Sequence, residues 1–477
     1  MYIYKSEDIK KIDAEAAKKG LDSFTLMENA GSALYRELSS IINKEKRLLI
    51  LAGKGNNGGD GIVLARYLKQ NGYRCDLVFP DETPITPSAQ RHFTYFLNCG
   101  FDVSHLVGSY DVIIDALLGA GARLPLQKNM VQIVNWANIQ DALRIAIDMP
   151  TGVIADKGEV EAAFQADYTF SLHGYKPSAF LEGSEEYYGE ISVLDIGLPH
   201  TSNWRIWTEP DVIRTFTKRN PNAHKGTYGT GLLVAGTDEM PGSALLAALA
   251  AMRSGIGKLT VATTPFASAV IAAKVPECTF IHNGLEQLAD GQIPQKINAA
   301  AVGPGLTDQV KIDKVLKQLF EEKIPLILDA GALTKREYPR KTEPIIVTPH
   351  PGEFAKMTGK MTADIQKNRL DEASAYAIGN EVIVVLKGRN TVIAFPDGSL
   401  HINVTGNAGL AKGGTGDTLT GILLAFISSA NDIKSAIANA VYLHGASADY
   451  WSETRAETSL LASDVSENLA FVLKAFE

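Results

Sequence analysis

Apolar, strand-like runs alternate with helical stretches along nearly the whole chain, and most of the runs end in a Gly-rich or acidic loop. A strand, a crossover helix and a second strand form the unit of a parallel sheet, so this alternation commits the chain to α/β architecture. In such sheets ligands sit outside the carboxyl ends of the strands, which makes the loops after the runs the place to look for chemistry. In the first half the runs are Arg47–Ala52, Tyr110–Asp115 and Leu143–Asp148. The pattern breaks over 196–211, IGLPHTSNWRIWTEPD, where Pro, Ser and Asn leave no clean period. It restarts with TGLLVAG at Thr230–Gly236 and continues through KLTVATT, AAAVGPGL, IPLILDAGAL, PIIVTPHPGEF and VIVVLKG, with a long helix expected from about Gly416. Two different α/β domains are expected, 1–208 and 211–477. The length of 477 residues agrees, since single cores stop growing at about 250–300 residues.

Composition narrows the function classes. A formal net charge of −8 leaves no basic excess to neutralise a phosphate backbone, so no nucleic-acid partner is expected. No apolar run reaches the length of a bilayer span, so no membrane partner is expected either. Cys75, Cys99 and Cys278 fall at no metal-ligand spacing and read as small hydrophobes in a reducing compartment. The charged, amphipathic N-terminus lacks the apolar segment of a secretory signal. The expected location is the cytoplasm.

The first Gly-rich loop, GKGNNGGDG at Gly53–Gly61, follows RLLILA and precedes a helical stretch. Glycines there allow positive φ and close approach to a ligand, and the helix N-terminus favours anions. Gly53, Gly55 and Gly58 satisfy G-x-G-x-x-G, with Asp76 downstream where a dinucleotide-binding unit carries its ribose carboxylate. A tight strand-to-helix turn with no ligand would carry the same glycines. Asn56, Asn57 and Asp60 add side-chain oxygens and amides that an ordinary phosphate cradle does not use. Asp115 and Thr151 stand at two other strand ends and, with Asn57, can offer hard oxygen ligands to a cation. Each of these residues can alternatively serve as a helix cap.

LMENAG (Leu26–Gly31), GNNGGDG, IIDALLGAGARLP and IDMPTG together resemble the NAD(P)H-hydrate epimerase family over residues 1 to about 200. The resemblance implies a Rossmann-like three-layer sandwich. It implies that Asn56, Asn57, Gly58, Gly59 and Asp60, with Gly119, Ala120, Gly121, Ala122, Arg123, Leu124 and Pro125, bind the hydrated nicotinamide nucleotide. Asp148 would contact it and act in catalysis, and Asn57, Asp115 and Thr151 would hold a potassium ion.

The strongest local signal is GNAGLAKGGTGDTLTGILLAF at Gly406–Phe426. Gly413, Gly414, Thr415 and Gly416 can turn successive backbone N–H groups toward one point, a nest for a migrating phosphoryl group, and the following helix adds its N-terminal dipole. Asp417 then stands where an attacking hydroxyl would need a proton acceptor. Lys387 and Arg389 in LKGRNT offer cations to phosphates, TPHPGEF places His350 in a rigid loop, and VGPGL leaves bare backbone around Gly305. HKGTYG, VGPGL, LDAGAL, TPHPGEF, LKG and the GGTGD segment resemble the ribokinase-like superfamily, and within it the ADP- or ATP-dependent NAD(P)H-hydrate dehydratases, over residues of about 211–477. LDAGAL departs from that family at Gly331, where a second acidic residue is usual.

That second resemblance implies a ribokinase-like three-layer sandwich. Asp417 would be the base. Gly413, Gly414, Thr415 and Gly416, with Lys387, Gly388, Arg389, Asn390 and Thr391, would hold the adenine nucleotide. Gly305, His350 and Asp417 would contact hydrated NADH or NADPH. ADP, with Mg2+, is the expected phosphoryl donor, and a homo-oligomer is expected. A fused epimerase would supply the epimer that a stereospecific dehydratase needs. Two other readings stay open: a small-molecule kinase in the C-terminal half, and a non-catalytic nucleotide-binding module in the N-terminal half.

Overall fold

Leu48 to Leu51 are all fully buried, and their side chains alternate between two separate clusters. Leu48 and Ile50 pack with Leu34, Leu68 and Phe96, while Leu49 and Leu51 pack with Met130, Val134 and Ala137. A strand apolar on both faces is what a sheet covered on both sides requires. The structure, a computed structural model, describes residues 1–477. It divides into two compact units, Met1–Ser202 with Gln366–Asn368, and Asn203–Ile365 with Arg369–Glu477.

The first unit holds six strands: β1 (Arg47–Ala52), β2 (Arg74–Val78), β3 (Val112–Ala116), β4 (Leu143–Ile147), β5 (Tyr168–Leu172) and β6 (Glu190–Leu194). Their order is β2-β1-β3-β4-β5-β6 and every pairing is parallel. The order reverses between β1 and β3, so a crevice opens at their carboxyl ends, the place where open α/β sheets bind ligands. This is the three-layer Rossmann-like arrangement expected.

The second unit holds β7 (Trp204–Trp207), β8 (Thr230–Val234), β9 (Lys258–Thr263), β10 (Thr279–His282), β11 (Ala299–Val302), β12 (Leu326–Leu328), β13 (Ile345–Val347), β14 (Ile383–Leu386), β15 (Thr391–Ala394) and β16 (Leu400–Asn403). The order is β10-β9-β8-β11-β12-β13-β14-β15-β16-β7. The sheet is parallel from β10 to β14, and then β14-β15 and β15-β16 are antiparallel. Its order reverses between β8 and β11, and Gly236, just after β8, donates its N–H to the Pro304 carbonyl beyond β11 at 2.8 Å.

The segment around WRIW, in which sequence patterning shows only a break, forms the edge strand β7, paired in parallel with β16. Residues 203–208 therefore belong to the second unit, and the expected span 1–208 runs too far. The short strand is hard to see because Pro, Ser and Asn surround it. Cys75 and Cys278 are buried and Cys99 partly so. No helix is long and apolar enough to cross a membrane.

Candidate active sites

The NNGGD segment is not a loop. The helix Asn56–Gln70 begins at its first asparagine, so Asn56 to Asp60 form the first turn, with their N–H groups at the positive end of the helix dipole. Gly53, Gly58, Gly59 and Gly61 permit close packing, not unusual backbone, while a Cβ at Gly55 would meet open space. None from Gly53 to Gly61 has positive φ. A Cβ at Gly58 would overlap the Gly53 carbonyl, and one at Gly53 would overlap the Leu117 carbonyl. Gly31 of LMENAG does the same for helix pairing, since a Cβ there would collide with Val63.

At the mouth of the β1/β3 crevice lies a cavity of about 470 Å³. Asn56, Asn57, Asp60, Gly119, Ala120, Gly121, Ala122 and Asp148 line it. Gly58 and Gly59 sit behind this surface, while Arg123, Leu124 and Pro125 lie outside the lining. Asp76 is not brought to the cavity. It lies within β2, where its carboxylate accepts from Arg47 at 2.8 Å and Ser104 at 2.9 Å.

Asn57, Asp115 and Thr151 do converge. Asp115 is fully buried and accepts from the Thr151 N–H at 2.7 Å, the Thr151 hydroxyl at 2.8 Å and the Leu117 N–H at 3.1 Å. Asn57 Nδ2 donates to the Leu118 carbonyl at 3.0 Å, and the Leu118 N–H donates to Thr151 Oγ1 at 3.1 Å. Burial pushes the Asp115 carboxyl up to about 6, against the pull of the Thr151 and Leu117 N–H groups. Asn57 Oδ1 is buried with no hydrogen-bond partner.

Sequence patterning missed three titratable groups of this cavity. Asp13, on the helix Ser6–Lys18, and His173 and Lys176, just after β5, all line it. Burial raises the Asp13 carboxyl, and the charge of Asp148 adds to that shift. Asp60, buried at the cavity wall, is held well above its ordinary value by burial first and by Asp148 and Asp13 next. A lone Asp on an amphipathic helix and a lone Lys in HGYKPS form no motif. Only the fold brings them together.

In the second unit the helix Thr415–Ser428 starts immediately after Gly414, whose φ of 91° is left-handed and suits glycine. Asp417 sits in its first turn. Burial pushes its carboxyl up to about 6, the neighbouring Asp329 adds to the rise, and a hydrogen bond from Ser243 opposes it. Ser243, in the first turn of the helix Pro241–Arg253, carries no sequence signal and was not expected here.

Lys387 is aimed at this centre. Its Nζ donates to Asp329 at 2.8 Å, lies 3.9 Å from Glu353, and would be 3.2 Å from a Cβ at Gly416. Asp329 is buried and also accepts from Thr348 at 2.7 Å and Thr420 at 2.8 Å. Gly388, Arg389 and Asn390 form the turn from β14 to β15, which begins at Thr391. Arg369 pins this turn through the Leu386, Lys387 and Arg389 carbonyls at 2.7–3.0 Å.

Gly305, with φ 67°, lies against the start of the Ser243 helix, where a Cβ would stand 3.0 Å from Ser243 Cβ. His350 caps the helix Pro351–Thr358: its Nδ1 accepts from Gly352 at 3.0 Å and Glu353 at 3.3 Å, and the ring is exposed. The capping task thus occupies one ring nitrogen, while Nε2 lies 3.6 Å from Glu353 Oε1.

Residues 23–178 match the family model described as YjeF-related protein N-terminus, and residues 231–470 match the NAD(P)H-hydrate dehydratase model. The bifunctional NAD(P)H-hydrate repair enzyme of Thermofilum pendens is 31% identical across 100% of this chain and 97% of that one. The Escherichia coli enzyme of the same name is 30% identical across 98% of this chain and 93% of its own. The crystal structure of ADP/ATP-dependent NAD(P)H-hydrate dehydratase from Bacillus subtilis, co-crystallized with ATP/Mg2+, is 47% identical. It covers 58% of this chain and 100% of its own, with a TM-score of 0.57. A ribokinase-like superfamily protein from Enterococcus faecalis shares the same half at 26% identity and a TM-score of 0.52. Both halves, in this order and along the full length, place the chain in the family of bifunctional NAD(P)H-hydrate repair enzymes.

Proposed function

We propose that the two sites act in turn on hydrated NADH and NADPH, in which water has added across one double bond of the reduced nicotinamide ring. The first site interconverts the R and S hydrates, and the second restores NAD(P)H from the S hydrate while ADP becomes AMP and phosphate. The observation that carries this reading is the half-buried Asp417 at the foot of the GGTG helix, joined by Ser243 and Lys387.

Hydroxide is a poor leaving group and phosphate a good one. The ring hydroxyl attacks the terminal phosphorus of ADP, and Asp417 accepts its proton, a task suited to a carboxyl raised toward neutrality. The GGTG amides and the helix dipole stabilise the migrating phosphoryl group, and Lys387 supplies a cation beside them. The ring nitrogen then expels phosphate, and loss of the adjacent carbon's proton restores the double bond. The residues from Lys387 to Thr391 frame the nucleotide, supplied as its Mg2+ complex, and Gly305 and His350 flank the nicotinamide.

In the first site the helix turn Asn56–Asp60 and the Gly119–Ala122 loop receive the nucleotide, with Asp148 at the reacting ring. A potassium ion fits Asn57, Asp115 and Thr151. The unpartnered Asn57 Oδ1 is a ready ligand, and no Lys or Arg pairs with the buried Asp115 carboxylate. One carboxylate with neutral oxygens suits a hard monovalent cation, which would supply the missing counter-charge. A cytoplasmic location agrees with a substrate drawn from the NAD(P)H pool.

The test is to give the purified protein the S hydrate with ADP and to count products. One AMP and one free phosphate per NADH recovered supports dehydration. A stable phosphorylated product without phosphate release would support a small-molecule kinase instead.

A further inference from the structure

Lys176 is completely buried, and its ammonium meets four oxygens. These are Asp148 Oδ1, Ser171 Oγ at 3.2 Å, the Leu172 carbonyl at 3.1 Å and the Gly174 carbonyl at 3.1 Å. Only Asp148 among them carries charge. Desolvating two ions costs several kcal/mol each, and apolar replacements of such pairs are often neutral or stabilising. Packing alone therefore gives little reason for a buried lysine here.

Asp148 is itself held in an unusual way. Its φ of 69° is left-handed, a region that non-glycine residues enter at a cost and that clusters at functional sites. Oδ1 takes both the Lys176 ammonium and the Leu172 N–H at 3.3 Å. Oδ2 faces the other way, 3.4 Å from where a Cβ at Gly119 would stand, and Asp148 lines the cavity there. Three further groups face the carboxylate: Asp13 from the first helix, Asp60 from the Asn56 helix, and Tyr188, whose hydroxyl bonds Ser178 at 2.6 Å. His173, beside Lys176, also lines the cavity. Lys176 is the cation bonded to the carboxylate, while Lys10 and Lys54 line the same cavity and form no ion pair with Asp148.

We propose that Lys176 is the positioning residue of the epimerase site, fixing Oδ1 of Asp148 and supplying the charge that lets Oδ2 work as an ionised proton acceptor beside two other carboxyl groups. The proposal rests on the epimerase reading of this cavity. An opposite charge in contact with a carboxylate favours its ionised form by about 1–3 pH units, and like charges oppose it. Without the ammonium, the acid limb of the epimerase pH profile moves to higher pH. Activity is then lost as pH falls through a range in which the wild type still works.

The experiment follows the equilibration of separated R and S hydrates, corrected for the uncatalysed rate, in the wild type, Lys176→Met and Lys176→Gln. Glutamine keeps donors for the Leu172 and Gly174 carbonyls while removing the charge. ADP-dependent dehydration by the same samples reports whether the chain is folded. The expected result is an acid limb of kcat/KM raised by one unit or more in the folded variants, with a loss of about tenfold or more below the limb and a smaller loss well above it. A loss equal at all pH values, unchanged kinetics, or failure of both variants to fold would each overturn the proposal. Absence of epimerisation in the wild type would instead overturn the reading of the site.

Discussion

Lys387 Nζ donates to Asp329 Oδ1 at 2.8 Å directly beneath the Gly416 backbone, so the cation of the phosphoryl site is also the counter-ion of a buried carboxylate. Removing one partner of a buried pair strands the other charge, at a cost of about 3–5 kcal/mol. Lys387→Met should lower the unfolding free energy of the full chain by that order and abolish dehydration. Adding Asp329→Asn should restore much of the stability and none of the activity. Chemical denaturation with parallel assays separates the two effects, and recovery of both would show the lysine to be structural only.

Asp417→Asn should reduce ADP-dependent dehydration by about 10²–10⁴-fold, the usual cost of losing a general base, and leave epimerisation intact. The ionised carboxylate is the active form. Burial raises this group to about 6, so wild-type kcat/KM should be constant above that pH and fall as pH drops through it. An acid limb near the ordinary aspartate value would contradict the assignment.

Epimerisation should depend on the monovalent cation, and dehydration should depend on it less. Sodium, potassium and a large organic cation compared at equal ionic strength should show the highest rate in potassium. Indifference to the ion, with no density between Asn57, Asp115 and Thr151 in a crystal grown with potassium, would leave those residues as loop and helix ties alone.

Much of this was legible in the sequence because parallel strands buried on both faces must be apolar along their length and must end in polar loops. β1 was read to the residue, and Asp115, Asp148, Thr151 and Asp417 all stand at strand or helix ends where the pattern placed them. What escaped depends on long-range contact. β7 is recognisable only through its pairing with β16, and Asp13, Lys176 and Ser243 gain their meaning from what they face. The G-x-G-x-x-G match misled in one respect. Gly53 and Gly58 serve close backbone packing without positive φ, Gly55 faces open space, and Asp76 closes an ion pair with Arg47 away from the cavity lining.

The central claim is that two separate sites repair one compound, and a mixture of R and S hydrates with excess ADP tests it directly. The wild type should convert both epimers to NADH in one continuous phase. Asp148→Ala should convert only the S fraction quickly, then continue at the uncatalysed epimerisation rate, with one phosphate released per NADH throughout. Because the two units have separate sheets and cores, Asp417→Asn should equilibrate the epimers without forming NADH. Rapid and complete conversion by Asp148→Ala, or loss of epimerisation in Asp417→Asn, would contradict the account.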